Sequence, residues 1–230
     1  MALGPGDCGD LGALREHIGD CHRCGLGATR TQVVFGSGDP LSDLMFVGEA
    51  PGRNEDLEGV PFVGAAGHFL DELLASIGLE RGQVYVANVV KCRPPDNRDP
   101  LPDEIATCTP FLRRQIELIS PRVIATLGRF AAHWLLDTTA PISALRGRLY
   151  HVGAMRVVPV FHPAAALYDA SKRQVLFDDF ARLRTVCDEH REQEGVLSPS
   201  PSDRDTPDVQ DTAHAPEDGG PAEGGQGALF

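Results

Sequence analysis

Short apolar runs alternate with amphipathic stretches over most of the chain, and this alternation predicts its secondary structure. Three of the runs are short and rich in branched side chains, as buried strands are; they occupy residues 44–47, 83–90 and 123–127. Apolar residues at helical spacing predict five helices, at residues 10–18, 65–77, 102–119, 128–136 and 171–190. We also expect two short strands between residues 148 and 161 and an edge strand at residues 32–35.

Strands that alternate with helices predict an α/β fold with a mainly parallel sheet covered by helices on both faces. Ligands of such sheets bind at the carboxyl ends of the strands. Glu49, Asn88 and His162 each lie at, or just after, the end of a predicted strand. We therefore expect these three side chains to converge on one site.

Residues 48–67 form a long, glycine-rich connection between the first central strand and the helix that follows it. Glycines let the backbone come close to a bound ring or phosphate, and the two prolines of this segment stiffen its turns. The carboxylates Glu49 and Glu55 and one aromatic ring, Phe62, lie among them. A connection that only had to reverse the chain would be shorter, so this segment predicts a binding pocket.

The charge of the chain is unevenly distributed. Of its 230 residues, 33 are acidic and 21 are lysine or arginine, which gives a net charge of −12. Residues 188–230 hold 11 of the acidic and 2 of the basic residues, a net of −9, so residues 1–187 have a net charge of only −3. Residues 1–187 are therefore close to neutral, and the negative net charge of the whole chain does not exclude nucleic acid as a partner.

Composition divides the chain into four parts. We expect residues 1–9 to be a flexible N-terminus and residues 10–194 to form one globular domain. Residues 195–225 are Ser, Pro, Asp, Glu and Gly with almost nothing apolar, which predicts disorder, and residues 226–230 break that bias. No apolar run approaches the roughly 18 residues of a membrane span, and no signal peptide is evident, so we expect a cytoplasmic protein with no membrane partner.

Five segments, in order along the chain, resemble the motifs of the family 4 uracil-DNA glycosylases, the iron–sulfur members of their superfamily. They are Gly48-Glu-Ala-Pro-Gly52, Glu55-Asp56, Gly59-Val-Pro-Phe-Val-Gly64, Asn88-Val-Val-Lys-Cys-Arg-Pro-Pro95 and His162-Pro163. The resemblance covers roughly residues 10–187. It implies a three-layer α/β/α sandwich, excision of uracil from single- or double-stranded DNA during repair, and a [4Fe–4S] cluster.

Six cysteines in a chain expected in the cytoplasm favour a metal or reactive thiols over disulfides. The resemblance assigns the cluster to Cys21, Cys24, Cys92 and Cys108, of which the first two form a CxxC pair. Four thiolates can equally hold a zinc ion, and the chemistry of the residues alone does not choose between the two. We expect the cluster to fasten the N-terminal segment to the loop after the second strand rather than to take part in the reaction.

Three polar or aromatic residues resemble the family's base-binding residues. Phe62 resembles the ring on which a flipped base stacks, which restores about 1–3 kcal/mol of lost stacking. Asn88 resembles the residue that reads the pyrimidine edge, because an amide oxygen and NH₂ match the N3–H donor and O4 acceptor of uracil. We expect Glu55 to close off the C5 edge and so exclude the methyl group of thymine. The role of Glu49 stays open between two alternatives: it orients the backbone of the loop, or it orients a water molecule.

Ala50 and Pro51 follow Glu49 in the first motif. Other branches of the superfamily have Asp or Asn at the position of Ala50 to hold the attacking water, which alanine cannot do. The resemblance therefore implies a dissociative mechanism, in which His162 donates a hydrogen bond to O2 of the departing uracil anion. We expect Glu49, Glu55 and His162 to be catalytic and Ala50 and Pro51 to contact the base.

Residues after the His-Pro pair are candidates for contact with DNA. Glycosylases of this superfamily insert an apolar side chain into the gap that the base leaves, and Leu167 or Tyr168 is the candidate here. Lys172 and Arg173 are candidates for contact with phosphate.

Residues 226–230 resemble a short form of the peptide that binds sliding clamps, a glutamine followed by an aliphatic and an aromatic anchor. Gln226, Leu229 and Phe230 supply these groups, with one aromatic residue where two are usual. A linker of about 30 disordered residues would have a root-mean-square reach of roughly 30 Å. We therefore expect a sliding clamp as a further partner. We also expect a monomer that is associated with the nucleoid of a prokaryote.

Three alternative functions differ in class. Some relatives attach covalently to uracil DNA through a histidine on an inserted basic loop, but residues 91–100 contain no histidine and no insertion. A non-catalytic module that holds uracil without excising it would use the same binding residues. A nucleotide-binding oxidoreductase would need a GxGxxG fingerprint after a predicted strand, and the chain has none there.

Overall fold

The computed structural model describes residues 4–193. Their six strands, β1 to β6, span Ser37–Gly38, Leu44–Gly48, Tyr85–Asn88, Val123–Leu127, Tyr150–Val152 and Met155–Val160. Within the same range, helices α1 to α8 span Leu11–Ile18, Arg53–Glu58, Ala65–Ser76, Pro102–Ile119, Arg129–Leu136, Ile142–Leu145, Ala165–Tyr168 and Ser171–Gln193.

The strands form one sheet in the order β1-β3-β2-β4-β6-β5. The four middle strands are parallel, and the two edge strands run antiparallel to their neighbours. Gly48 at the end of β2 pairs with Asn88 at the end of β3. The chain passes from β2 to β3 on one side and later reaches β4 on the other, and such a reversal opens a crevice at the carboxyl ends of the strands.

Alternate residues of β2 point to opposite faces of the sheet, and each face packs against different helices. Phe46 belongs to a buried cluster with Leu70 of α3 and Phe180 of α8. Met45 belongs to a second buried cluster with Leu112 of α4. The predicted α/β architecture, a mainly parallel sheet between two helical layers, is therefore confirmed.

The described part of the N-terminal segment is packed against α4, although we expected residues 1–9 to be flexible. Pro5–Asp7 forms a 3-10 turn. The Cys8 side chain is buried, and its carbonyl oxygen accepts hydrogen bonds from Nε and Nη2 of Arg114 at 3.0 and 2.6 Å. These contacts hold the turn beside the helix.

The structure differs from the predicted elements at two strands. Residues 32–35 are not a strand: Val34 N donates to the Lys91 carbonyl at 2.8 Å, so this segment contacts the loop after β3, and the edge strand is β1. Strand β3 is shorter than predicted and ends at Asn88. Val89 and Val90 follow it in a loop, although their N–H groups still donate to the carbonyls of Gly48 and Glu49. In residues 4–193 no helix is both long and apolar enough to span a bilayer.

Candidate active site

A cleft of about 310 Å³ opens at the carboxyl ends of the parallel strands. It brings together all seven residues predicted to act on the base, namely Glu49, Ala50, Pro51, Glu55, Phe62, Asn88 and His162. Its remaining lining residues were not predicted; they are Gly52, Ala66, Pro94, Asn97, Arg98 and Ala164. The expected convergence of Glu49, Asn88 and His162 on one site is therefore what the structure has.

Phe62 is buried, and its ring lies 5.5 Å from the His162 ring, centroid to centroid, at an angle of 27°. Its φ is +56°, in the left-handed region that bulky residues rarely adopt. Glycines make this conformation possible, because a Cβ at Gly67 would lie 1.8 Å from the Phe62 carbonyl oxygen and one at Gly48 would lie 2.8 Å from its ring. The loop is thus shaped around one aromatic ring at the wall of the cleft.

Glu55 holds this loop together through three hydrogen bonds. One carboxylate oxygen accepts from Val63 N and Gly64 N at 3.0 and 2.9 Å, and the other accepts from Gly52 N at 3.1 Å. The side chain lies in the first turn of the short helix α2, from which it ties both ends of the loop together. Glu55 therefore fixes the shape of the loop in this structure, and its expected catalytic role and contact with the C5 edge of a base stay predictions.

Asn88 ends β3 with its side chain buried at the cleft, and its Oδ1 has no hydrogen-bond partner among residues 4–193. Leaving such an oxygen unpaired costs about 1–3 kcal/mol, so the atom is suited to a donor on a ligand. The main chain of Asn88 is held from behind by Lys91, whose buried Nζ donates to the Asn88 carbonyl at 2.8 Å and to Gln115 Oε1 at 2.6 Å. Burial lowers the pKa of Lys91 to about 8.

His162 has a defined tautomer. Its Nδ1 accepts a hydrogen bond from Ala164 N at 3.1 Å, so the proton of the neutral ring lies on Nε2. Burial lowers the pKa of His162 to about 4, and the negative charge of Glu55 opposes this shift only in part. The ring is therefore neutral at physiological pH. Gly128, with φ +90°, permits the close approach, because a Cβ there would lie 3.2 Å from the His162 Cβ.

Glu49 is half-buried, and its pKa is raised to about 7. Burial is the main cause, the negative charge of Asp99 adds to it, and the positive charge of Arg129 opposes it. This carboxyl therefore changes its charge near neutral pH, the range in which a general acid or base is most efficient at physiological pH.

Arg98 is a cleft residue that sequence reasoning missed. Its guanidinium binds both carboxylate oxygens of Glu104, at 2.9 and 2.6 Å, and Glu104 also accepts from Leu101 N at 2.8 Å. The ion pair fastens the loop after β3 to the start of α4. The sequence offered one signal, since this proline-rich loop directly follows the strand that ends at Asn88.

The four candidates for DNA contact lie in different environments. Leu167 and Tyr168, on α7, are 47% and 91% exposed, as an inserted side chain needs to be. The Lys172 ammonium lies 5.1 Å from the Phe161 ring and 3.6 Å from Asp169. Arg173 pairs with Glu72 of α3 and lies over the Phe69 ring, so its guanidinium contacts the neighbouring helix. All four roles at DNA stay predictions.

Four cysteines from three segments lie near one another. Burial raises the pKa of the Cys92 thiol to about 12, and the charges of Cys108, Cys21 and Cys24 contribute to the shift. Burial also raises the pKa of the Cys108 thiol, and the charges of Cys24 and Cys21 raise it further. Among the described residues, no three Cys, His, Asp or Glu side chains form a closed site for a single metal ion.

Hydrogen-bond donors surround these sulfurs. Lys91 N donates to Cys108 Sγ at 3.2 Å, and Arg23 Nη1 donates to Cys21 Sγ at 3.3 Å. Arg30 donates to the Cys21 carbonyl at 2.6 Å, and its charge favours the thiolate of Cys92. A Cβ at Gly27 would lie 2.7 Å from that same carbonyl, so the CxxC turn needs glycine there. A set of four thiols among cations and N–H donors fits an anionic metal–thiolate group.

Comparison with known proteins gives a family match over most of this domain. A family model described as the uracil DNA glycosylase superfamily matches residues 35–183. The chain is 47% identical to the type-4 uracil-DNA glycosylase of Archaeoglobus fulgidus, over 77% of this chain and 93% of that protein. It is 46% identical to the type-4 enzyme of Sulfurisphaera tokodaii (77% and 84% covered) and 42% identical to that of Thermotoga maritima (75% and 92% covered).

Proposed function

The chain belongs to the uracil DNA glycosylase superfamily, and from this membership we propose that it excises uracil from DNA. The reaction is hydrolysis of the N-glycosidic bond of deoxyuridine, which releases uracil and leaves an abasic site. One observation carries the proposal: a neutral imidazole, a buried amide and an aromatic ring line a single cleft. A base that is flipped out of the DNA stack meets all three there.

The Asn88 amide recognises the base and the Phe62 ring stacks on it. The unpartnered Oδ1 of Asn88 accepts from uracil N3–H, and its NH₂ donates to O4. Cytosine offers an acceptor at N3 and a donor at C4, so it is rejected. The hydrogen bond from Lys91 to the Asn88 carbonyl fixes the main chain from which this amide projects.

His162 stabilises the leaving group. The Nε2–H group is free to act because Ala164 N–H occupies Nδ1, and it donates a hydrogen bond to O2 of the uracil anion that forms as the glycosidic bond breaks. Ala50 has no polar group to hold a nucleophilic water, so the bond breaks largely before water adds. Glu49, with a pKa of about 7, is suited to accept the proton of that water.

Cys21, Cys24, Cys92 and Cys108 are the proposed ligands of a [4Fe–4S] cluster. The hydrogen bonds that Lys91 N and Arg23 donate to Cys108 Sγ and Cys21 Sγ, beside the charge of Arg30, support an anionic metal–thiolate group here, and the family resemblance favours iron over zinc. The cluster would supply a covalent link between the CxxC turn, the loop after β3 and α4. No step of the reaction is assigned to it.

Alkali cleavage of uracil-containing DNA tests the activity. Single- and double-stranded oligonucleotides with one uracil should break at that position after incubation and alkali, and matched oligonucleotides with cytosine or thymine should stay intact. A protein that only bound uracil, reversibly or covalently, would retard the oligonucleotide without breaking it. Asn88→Asp should weaken excision of uracil, because a carboxylate cannot donate to O4.

The expected clamp-binding peptide, Gln226, Leu229 and Phe230, lies outside the described residues, as does the tail before it. Deleting residues 226–230 should abolish binding to a sliding clamp and leave excision from short oligonucleotides unchanged, because a tether raises only the local concentration of the enzyme. Equal clamp affinity with and without the peptide would contradict this proposal.

We further propose that the protein is a monomer and that it works on nucleoid DNA in the cytoplasm. Light scattering tests the monomeric state, and fluorescence microscopy tests the localisation.

A further inference from the structure

Phe62 holds a backbone conformation that its own side chain disfavours, so contacts outside the residue must stabilise it. A bulky residue at φ +56° is rare and persists only where its surroundings determine it. Gly48 and Gly67 leave room for the ring and the carbonyl group, but a glycine adds no side-chain contact. The stabilising group has to come from elsewhere in the chain.

Arg81 contacts both the main chain and the ring at this point. It lies in the 3-10 turn Arg81–Gln83, which precedes β3. Its Nη2 donates to the Pro61 carbonyl at 2.6 Å, in the peptide group that leads into Phe62. Its guanidinium carbon lies 5.9 Å from the centroid of the Phe62 ring.

We infer that Arg81 is a positioning residue for base stacking, which fixes Phe62 in the orientation that a flipped uracil needs. The inference rests on the proposed function, since it gives Phe62 a base to stack on. A guanidinium suits the task because it is planar: its N–H groups bind the carbonyl while its cation attracts the ring. Lysine offers one ammonium group, which cannot reach both targets equally well.

An ordinary surface ion pair does not account for these contacts. The nearest carboxylate, Asp71 Oδ1, lies 3.6 Å from Arg81 Nη1, beyond normal hydrogen-bond distance, and half of the Asp71 side chain is exposed. Pairs of this kind contribute little to stability. The shortest contact of the guanidinium is to the loop that carries Phe62.

Arg184 offers a matched control. Its Nη1 donates to the Ile77 carbonyl at 3.3 Å and its Nε binds Asp188 at 2.8 Å, so it too joins a backbone carbonyl to an aspartate. It lies by Leu44 and Val123, at the opposite ends of the strands from the cleft. Arg184→Met therefore reports the general effect of losing a half-buried arginine.

The first readout is hydrogen exchange of the backbone amides of residues 62–64 in the full chain. Arg81→Met should speed their exchange about 5-fold or more, and Arg184→Met should leave it unchanged. Arg81→Lys should recover part of the protection. Equal exchange in Arg81→Met and wild-type protein would overturn the inference, and this comparison holds whether or not the protein excises uracil.

The second readout is a double-mutant cycle for uracil excision. Arg81→Met should lower kcat/KM about 5-fold in wild-type protein and leave it unchanged in a Phe62→Ala background, because the arginine acts only through the ring. The same loss in both backgrounds would mean that Arg81 supports the fold and not the stacking. Failure of the proposed function looks different, since the wild-type protein itself would then leave uracil DNA intact.

Discussion

The cleft and the cysteine site lie at the end of the same strand, yet they are organised in opposite ways. Strand β3 ends at Asn88 in the cleft, and Cys92 follows four residues later. In the cleft, the chain itself fixes the polar groups: three N–H donors hold Glu55, and Ala164 N–H sets the tautomer of His162. At the cysteine site, burial raises the pKa of the Cys92 thiol to about 12, although the positive charge of Arg30 opposes the shift.

With the proposed cluster at the cysteines, this difference indicates which region would depend on a bound group. A carboxylate or an imidazole can be held by backbone amides, so the cleft is organised before any substrate arrives. Thiols that must ionise to bind metal repel one another once ionised, so only the metal can hold them together. Lys91 joins the two regions, with its amide on Cys108 Sγ and its ammonium on the Asn88 carbonyl. Loss of the metal should therefore disturb the fold first and the cleft second.

The largest expected effect comes from removing a cysteine of the four. Cys92→Ala should lose most of the iron, expected at about four per chain, together with the visible absorption and much of the thermal stability. Metal analysis and thermal unfolding measure this. Cys8→Ala is the matched control, since Cys8 is similarly buried, at 8% exposure against 5%, but outside the set. Full iron content in Cys92→Ala, or equal losses in both variants, would contradict the assignment.

The next effect tests the cleft alone. His162→Ala should slow single-turnover release of uracil by roughly 10²–10³, the scale for losing one donor to a developing anion. Affinity for abasic DNA and thermal stability should change little. His133→Ala is the control, because His133 bonds to the Ala140 carbonyl and does not line the cleft. An unchanged single-turnover rate would make His162 a structural residue.

A smaller effect distinguishes two roles of Glu55. Glu55→Gln keeps one acceptor oxygen and turns an NH₂ toward at least one of the three N–H donors, which leaves that donor unsatisfied at a cost of about 1–3 kcal/mol. If Glu55 positions the loop, uracil excision should fall about 10-fold, and thymine should stay in the DNA. Release of thymine by the variant would instead support the predicted contact with the C5 edge.

The fold was predictable from the sequence wherever an element buries a whole face. Strand β4 matches the predicted residues 123–127 because all five of its side chains are buried, and α4 has apolar residues at helical spacing on its buried face, including Leu112, Ile116 and Ile119. Helices α2, α6 and α7 have six, four and four residues, too few to show a period. Short elements depend on the contacts around them, and local pattern does not include those contacts.

The cleft was predictable in its membership and less so in its internal connections. Glu49, Asn88 and His162 could be brought together by the rule that strand ends converge, and the family resemblance added Phe62. No local pattern showed that Glu55 would face three amides. The same is true of Arg81, which contacts Pro61 across 20 residues of sequence. Such contacts depend on how the loop closes, so they become visible only in the folded chain.

The smallest expected effect is the pH dependence that Glu49 gives to stability. Its pKa is about 7 in the folded protein, above the usual 4.5, so between these values the folded chain holds a proton that the unfolded chain has lost. Stability should therefore fall as pH rises from about 4.5 through 7, and the loss is complete above 7.

Glutamine stays neutral, so Glu49→Gln should match wild-type protein near pH 5 and unfold a few degrees higher at pH 8, as thermal scans at the two pH values would show. Asp99→Asn should lower the midpoint of the change, because the Asp99 charge adds to the shift. A difference between Glu49→Gln and wild type that is the same at both pH values would mean that the carboxyl does not titrate in this range, and the cleft would then lack the proton acceptor proposed for it.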